Sequence, residues 1–154
     1  MPASEGSPQR WRIPETALLF LLLALPLVLL AALMPRKTAT FDEVAHLPAG
    51  YSYLTTGLFK INPQHPPLIK EICALPLLFM DLKMPVDKET LERSNVPLTY
   101  QWGFGHRFLY SQDADRILFA GRIMAVGLSL GVAILIAKWS ARLWGISGAL
   151  LAVA

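Results

Sequence analysis

Two long apolar runs frame the chain, separated by a stretch in which polar and apolar residues mix. The first, Ala17 to Met34, reads ALLFLLLALPLVLLAALM, eighteen residues without a charge. At about 1.5 Å of rise per residue such a helix spans roughly 27 Å, close to the ~30 Å hydrocarbon core of a bilayer. Pro26 predicts a kink in mid-span, which membrane helices tolerate. A signal peptide is the rival reading, because Arg10 and Arg12 precede the run. The run is longer than the usual h-region of about 7–15 residues, and Pro35-Arg36-Lys37 follows it rather than a small-residue cleavage site. A retained anchor is therefore expected.

The second run, Ile117 to Ala137, is interrupted only by Arg122. Lys138 and Arg142 close it, with Trp139 and Trp144 at interfacial depth. A third run begins at Ile146 and continues to Ala154. The pattern predicts an all-α, polytopic integral membrane protein with two complete transmembrane helices and the start of a third. The expected order is an N-terminal tail (1–14), helix 1 (15–34), a large loop (35–116), helix 2 (117–137), a short loop (138–145) and a truncated helix 3 (146–154). That truncation makes the chain the expected N-terminal part of a longer protein. Within helix 2, Gly127-Leu128-Ser129-Leu130-Gly131 has the small-xxx-small spacing that lets spans pack closely. An arginine inside a span costs at least ~2.5 kcal/mol near its centre, so Arg122 predicts an acidic partner, with a loop carboxylate the natural choice.

The long loop is patterned too. Thr40-Phe41-Asp42-Glu43 has capping-box spacing, so a juxtamembrane helix should start there and cover about 41–56, bent or broken near Pro48. Asp42 falls in its first turn, where the helix dipole favours an ionised carboxylate. His46 lies four residues after Asp42 and three after Glu43, so the three can share a face. Asn62 to Leu68 reads as a rigid proline turn opening a second, amphipathic helix at about 67–82, which carries Lys70 and Glu71. From Lys83 to Asn95 the chain is polar, and Tyr100 to Tyr110 is aromatic and glycine-rich, suited to lying at the headgroups.

Composition narrows the classes. Charged residues make up 16% and hydrophobic residues 54%, against about 25% charged in soluble domains, which favours lipid. The net charge of +3 is spread along the chain and forms no basic stripe, so no nucleic-acid partner is expected. Cys73 is the only cysteine, so no internal disulfide can form. Positions 35–116 hold nine basic and nine acidic residues, and a loop of that length escapes the positive-inside rule. Arg10, Arg12, Lys138 and Arg142 share one side, which places that side in the cytoplasm and the loop outside, with the plasma (inner) membrane the expected location.

Phe41-Asp42-Glu43-x-x-His46, Ala49-Gly50-Tyr51-x-Tyr53-Leu54-x-x-Gly57 and Asn62-Pro63-x-His65-Pro66-Pro67-Leu68-x-Lys70 resemble the first-loop signature of GT-C membrane glycosyltransferases. The nearest branch is the one related to protein O-mannosyltransferases and lipid A aminoarabinose transferases. The resemblance implies a polyprenyl-phosphate-linked sugar donor, transfer with inversion, and a lipid, glycan or protein acceptor on the non-cytoplasmic face. It makes Asp42 the catalytic base, with Glu43 beside it. Lys70 and Arg122 are then candidates for the leaving phosphate, and His65 for substrate contact. His46 with Asp42 or Glu43 is the candidate set for a divalent metal, Mg or Mn. The resemblance covers the opening part of such an enzyme, so the segment alone is expected to be inactive. A membrane scaffold or transporter subunit with a partner-binding loop is the non-enzymatic alternative. Tyr51 and Tyr53 read as interface anchors and Cys73 as a small buried residue.

Overall fold

The computed structural model describes residues 13–154, and over these residues it is all-helical, without strands. The expected tail lies outside the described residues except for Ile13 and Pro14, which open the first helix. Six α-helices follow in order: α1 (Ile13–Leu33), α2 (Phe41–Thr56), α3 (Leu68–Ala74), α4 (Lys88–Arg93), α5 (Tyr100–Tyr110) and α6 (Ala114–Val153). Two helical stretches, Ala17–Arg36 and α6, are long and apolar enough to cross a membrane. The chain divides into two compact units, residues 33–125 and a second unit of residues up to 32 together with 126–154.

In the second unit α1 runs unbroken through Pro26. Leu19 forms a buried cluster with Ala137, Ile146 and Ala149. The expected loop at 138–145 is not a loop. The helix continues through Lys138 and Trp144 and breaks at one residue, Gly145, whose φ of 70° and ψ of −167° lie outside the helical region. A residue with a side chain rarely adopts a positive φ, so glycine is what lets the chain turn here without a connecting segment. Gly127 and Gly131, expected to admit a neighbouring helix, have no described atom within 4 Å of where a Cβ would stand.

Residues 33–125 form a unit around α2. Its start matches the sequence signal: Thr40 Oγ1 accepts from the Glu43 amide (3.4 Å), and Glu43 Oε2 accepts from the Thr40 amide (2.8 Å). The helix then passes through Pro48 to Thr56 without the expected break. Pro48 has no N–H, so the Val44 carbonyl cannot receive its usual intrahelical bond. The backbone of α5 closes onto that carbonyl, for a Cβ on Gly105 would lie 1.7 Å from it. The other side of α2 is as tight, since a Cβ on Gly50 would lie 2.1 Å from the Lys70 carbonyl. Two glycines thus let α3 and α5 pack directly on the α2 backbone.

The expected helix at 67–82 is shorter. It is α-helical only over Leu68–Ala74 and continues as a 3₁₀ turn, Leu75–Phe79, opened by Pro76. The polar stretch 83–95 contains the short α4, capped by Asp87, and the aromatic stretch is the regular helix α5. Tyr51 and Tyr53 are core residues rather than interface anchors: both are buried, Tyr51 packing on Phe108 and Tyr53 on Phe59.

Candidate functional site

A cavity of about 400 Å³ opens within the 33–125 unit. The first turns of α2 supply Asp42, Glu43, His46 and Leu47; the proline turn and α3 supply His65, Pro66, Ile69, Lys70 and Cys73; the start of α6 supplies Leu118, Gly121, Arg122 and Ala125. The six residues proposed from the sequence for catalysis, phosphate, substrate or metal, Asp42, Glu43, His46, His65, Lys70 and Arg122, all line this cavity, although they span eighty positions of chain. The wall is mainly apolar.

Arg122 finds the acidic partner its position predicted. Nε donates to Glu43 Oε1 at 2.6 Å, and one terminal nitrogen donates to Glu43 Oε2 at 2.8 Å and to the Thr38 carbonyl at 2.9 Å. The other terminal nitrogen donates to the carbonyls of Met34 and Lys37, at 2.8 and 2.9 Å. A guanidinium has five N–H groups, and all five are engaged. The pair is largely shielded, its side chains being 13% and 26% exposed. Burial is the largest single influence on the Glu43 carboxyl and acts upward. The hydrogen bonds from Arg122 and Thr40, with the Arg122 charge, outweigh it and hold the group below its ordinary range. Both Glu43 oxygens are thus occupied, and the pair ties the start of α2 to α6.

Lys70 is also satisfied internally. It is 4% exposed, and Nζ donates to the Asn62 carbonyl (2.7 Å), Asn62 Oδ1 (2.6 Å) and the His65 carbonyl (2.8 Å). An ammonium has three N–H groups, so none remains for a ligand. Its head also lies 5.2 Å from the centroid of the Tyr53 ring. Burial depresses its pKa, with the Glu71 charge opposing. The sequence reading missed the groups that hold this lysine. Asn62 is buried, its backbone N–H donates to Tyr53 Oη at 3.0 Å, and its side-chain Nδ2 donates to Gln101 Oε1. The signal was present in the run Asn62-Pro63-x-His65, where a buried asparagine must satisfy four hydrogen-bonding capacities.

Asp42, His46 and His65 remain accessible. Asp42 is exposed and makes no hydrogen bond or ion pair among the described residues; its charge acts on His46. The His46 and His65 rings stand with centroids 5.1 Å apart and inclined by 56°. His46 is held below the ordinary histidine range by burial first, then by the Lys70 charge and His65, with Asp42 opposing. Burial pushes the half-buried Cys73 thiol above its ordinary range. Among the described residues no three His, Cys, Asp or Glu side chains form a group able to hold an ion, and Glu43 is paired with Arg122. No family model, curated protein or solved structure matches this chain.

Proposed function

We propose that the chain is an integral membrane glycosyltransferase of the GT-C kind, moving a sugar from a polyprenyl-phosphate donor to an acceptor hydroxyl on the non-cytoplasmic face. Asp42 acts as general base. What carries the reading is one arrangement: an unpaired carboxylate at the rim of an apolar-walled cavity, next to a carboxylate that a saturated arginine fixes in place. An attacking alcohol must lose its proton as it bonds to the anomeric carbon, and a carboxylate within hydrogen-bond reach can take it. The apolar wall formed by Leu47, Ile69, Leu118 and Ala125 suits the first isoprene units of a lipid carrier. Two membrane-length helices supply the setting in which such a carrier is available.

Asp42→Asn tests the reading, because Asn keeps the size and removes the base. In membranes from cells expressing the protein from its own gene, the substitution should lower transfer from labelled prenyl-linked sugars by about 10²–10⁴-fold. Membrane insertion should be unchanged. Near-normal turnover would exclude Asp42 as the base.

A further inference from the structure

Two short helical turns on the 33–125 unit have opposite outer faces. In α4 the inward residue is Leu91, which is buried, and the outer positions are Lys88, Glu89, Thr90, Glu92 and Arg93, all exposed. That is the ordinary pattern of a turn that faces water. The 3₁₀ turn Leu75–Phe79 breaks it. A 3₁₀ helix repeats every three residues, so Ala74, Leu77 and Met80 form one row, and that row packs into the core. The other two rows are Leu75 with Leu78 and Pro76 with Phe79, and both are apolar. Leu75, Leu78 and Phe79 are exposed, Phe79 to 91%, and Leu68 adds to the apolar surface at the start of α3. Between Glu71 and Asp81 no side chain is charged.

We propose that the Leu75–Phe79 turn is a lipid anchor, its outer rows seated in a bilayer surface at the boundary between headgroups and acyl chains. Phe79 projects from the turn, and the side chains of Leu75, Pro76, Leu78 and Phe79 hold no polar atom that could direct a protein partner. A fluid acyl phase closes around such a projection without needing a complementary shape. Length rules out a crossing: the seven residues of α3 and the five of the 3₁₀ turn measure about 20 Å together, against a ~30 Å hydrocarbon core. Chain connection brings a bilayer within reach, since the chain enters this unit from the membrane-length helix Ala17–Arg36 and leaves it through α6. The flanking charges Glu71, Asp81 and Lys83 form no basic cluster, and the Lys70 ammonium is bonded within the protein. Attachment therefore rests on apolar burial and not on anionic lipid. Because α3 carries Ile69, Lys70 and Cys73 into the cavity wall, the anchor holds that wall at the lipid surface. None of this depends on the sugar-transfer reading.

Fluorescence quenching in the protein reconstituted into phosphatidylcholine vesicles tests the anchor. An environment-sensitive dye is attached to Phe79→Cys or to Glu89→Cys, each in a Cys73→Ala background. An anchored face lies about 5–10 Å into the headgroup and acyl boundary. A nitroxide near the top of the lipid acyl chain should therefore quench the dye at 79 severalfold more than the dye at 89. Iodide in the water should show the reverse order. Leu78→Cys repeats the measurement from the neighbouring row and should behave as 79 does, which guards against one damaging substitution. Equal nitroxide quenching at 79 and 89, or iodide reaching 79 as readily as 89, overturns the anchor. A dye at 79 and 78 that neither quencher reaches would mean that protein covers the turn, a second copy or another part of the chain, and overturns it too. Anionic lipid and added salt should leave the 79-to-89 ratio unchanged; a ratio that rises with the one and collapses with the other overturns attachment by apolar burial.

Discussion

Arg122 is the residue on which the site's geometry depends. Its guanidinium gathers the carbonyls of Met34, Lys37 and Thr38 and the Glu43 carboxylate around one planar fork. Removing it would leave a half-buried carboxylate and three carbonyls without their donor, so Arg122→Leu should cost about 2–3 kcal/mol despite the gain in apolarity. The pair also makes stability depend on pH. Glu43 titrates below its ordinary range when folded, so its contribution is fully present above the unfolded-state value and is lost as pH falls through the lower folded-state value. Unfolding of the solubilised protein, followed across the acid range, should show wild type losing stability through that window. Arg122→Leu should start lower at neutral pH and lack the step. An unchanged acid profile would show that the pair contributes nothing to folding.

At the scale of elements, α2 is the axis of the 33–125 unit, and glycine decides how closely its neighbours approach. Gly103 and Gly105 lie two residues apart on α5, yet a Cβ at 103 meets nothing within 4 Å while one at 105 meets the Val44 carbonyl. Gly103→Ala should therefore raise the melting temperature modestly, alanine gaining about 1 kcal/mol over glycine in a helix. Gly105→Ala should lower stability by about 1–3 kcal/mol or more, because backbone must shift. Equal effects would mean that α5 does not pack on α2 in this way. The elements differ in how far they could be read from the sequence. The capping box marked the start of α2 because it is a local signal, complete within four residues. The partner of Arg122 was legible as a class, since the cost of an unpaired charge requires one. Passage through Pro48 was not legible, because what accommodates it is a glycine 57 positions away in sequence. The engagement of Lys70 was equally hidden. A lysine near a proline turn looks available until the buried Asn62 that captures it is seen.

For the molecule as a whole, the decisive question is whether its two membrane-length helices cross a bilayer, and how often. At about 1.5 Å per residue, the 40 residues of α6 measure roughly 60 Å, about twice the hydrocarbon thickness. One straight crossing cannot contain them, and the turn at Gly145 divides the helix after Trp144. Lys138 and Arg142 lie just before that turn, with Trp139 and Trp144 among them, the composition expected of a membrane–water boundary. If both membrane-length helices cross, the segment between them faces one compartment, and the ends marked by Arg10, Arg12, Lys138 and Arg142 face the other. Lys88, exposed at the start of α4, reports on the first compartment, and Ser4 reports on the second. An impermeant thiol reagent added to intact cells should label Lys88→Cys and spare Ser4→Cys, with half-buried Cys73 setting the background. The reverse pattern would put Asp42 on the cytoplasmic side, where the non-cytoplasmic transfer proposed above could not occur. Labelling of both positions would mean that the first helix does not separate them across a membrane, and the lipid-carrier reading would lose its physical basis.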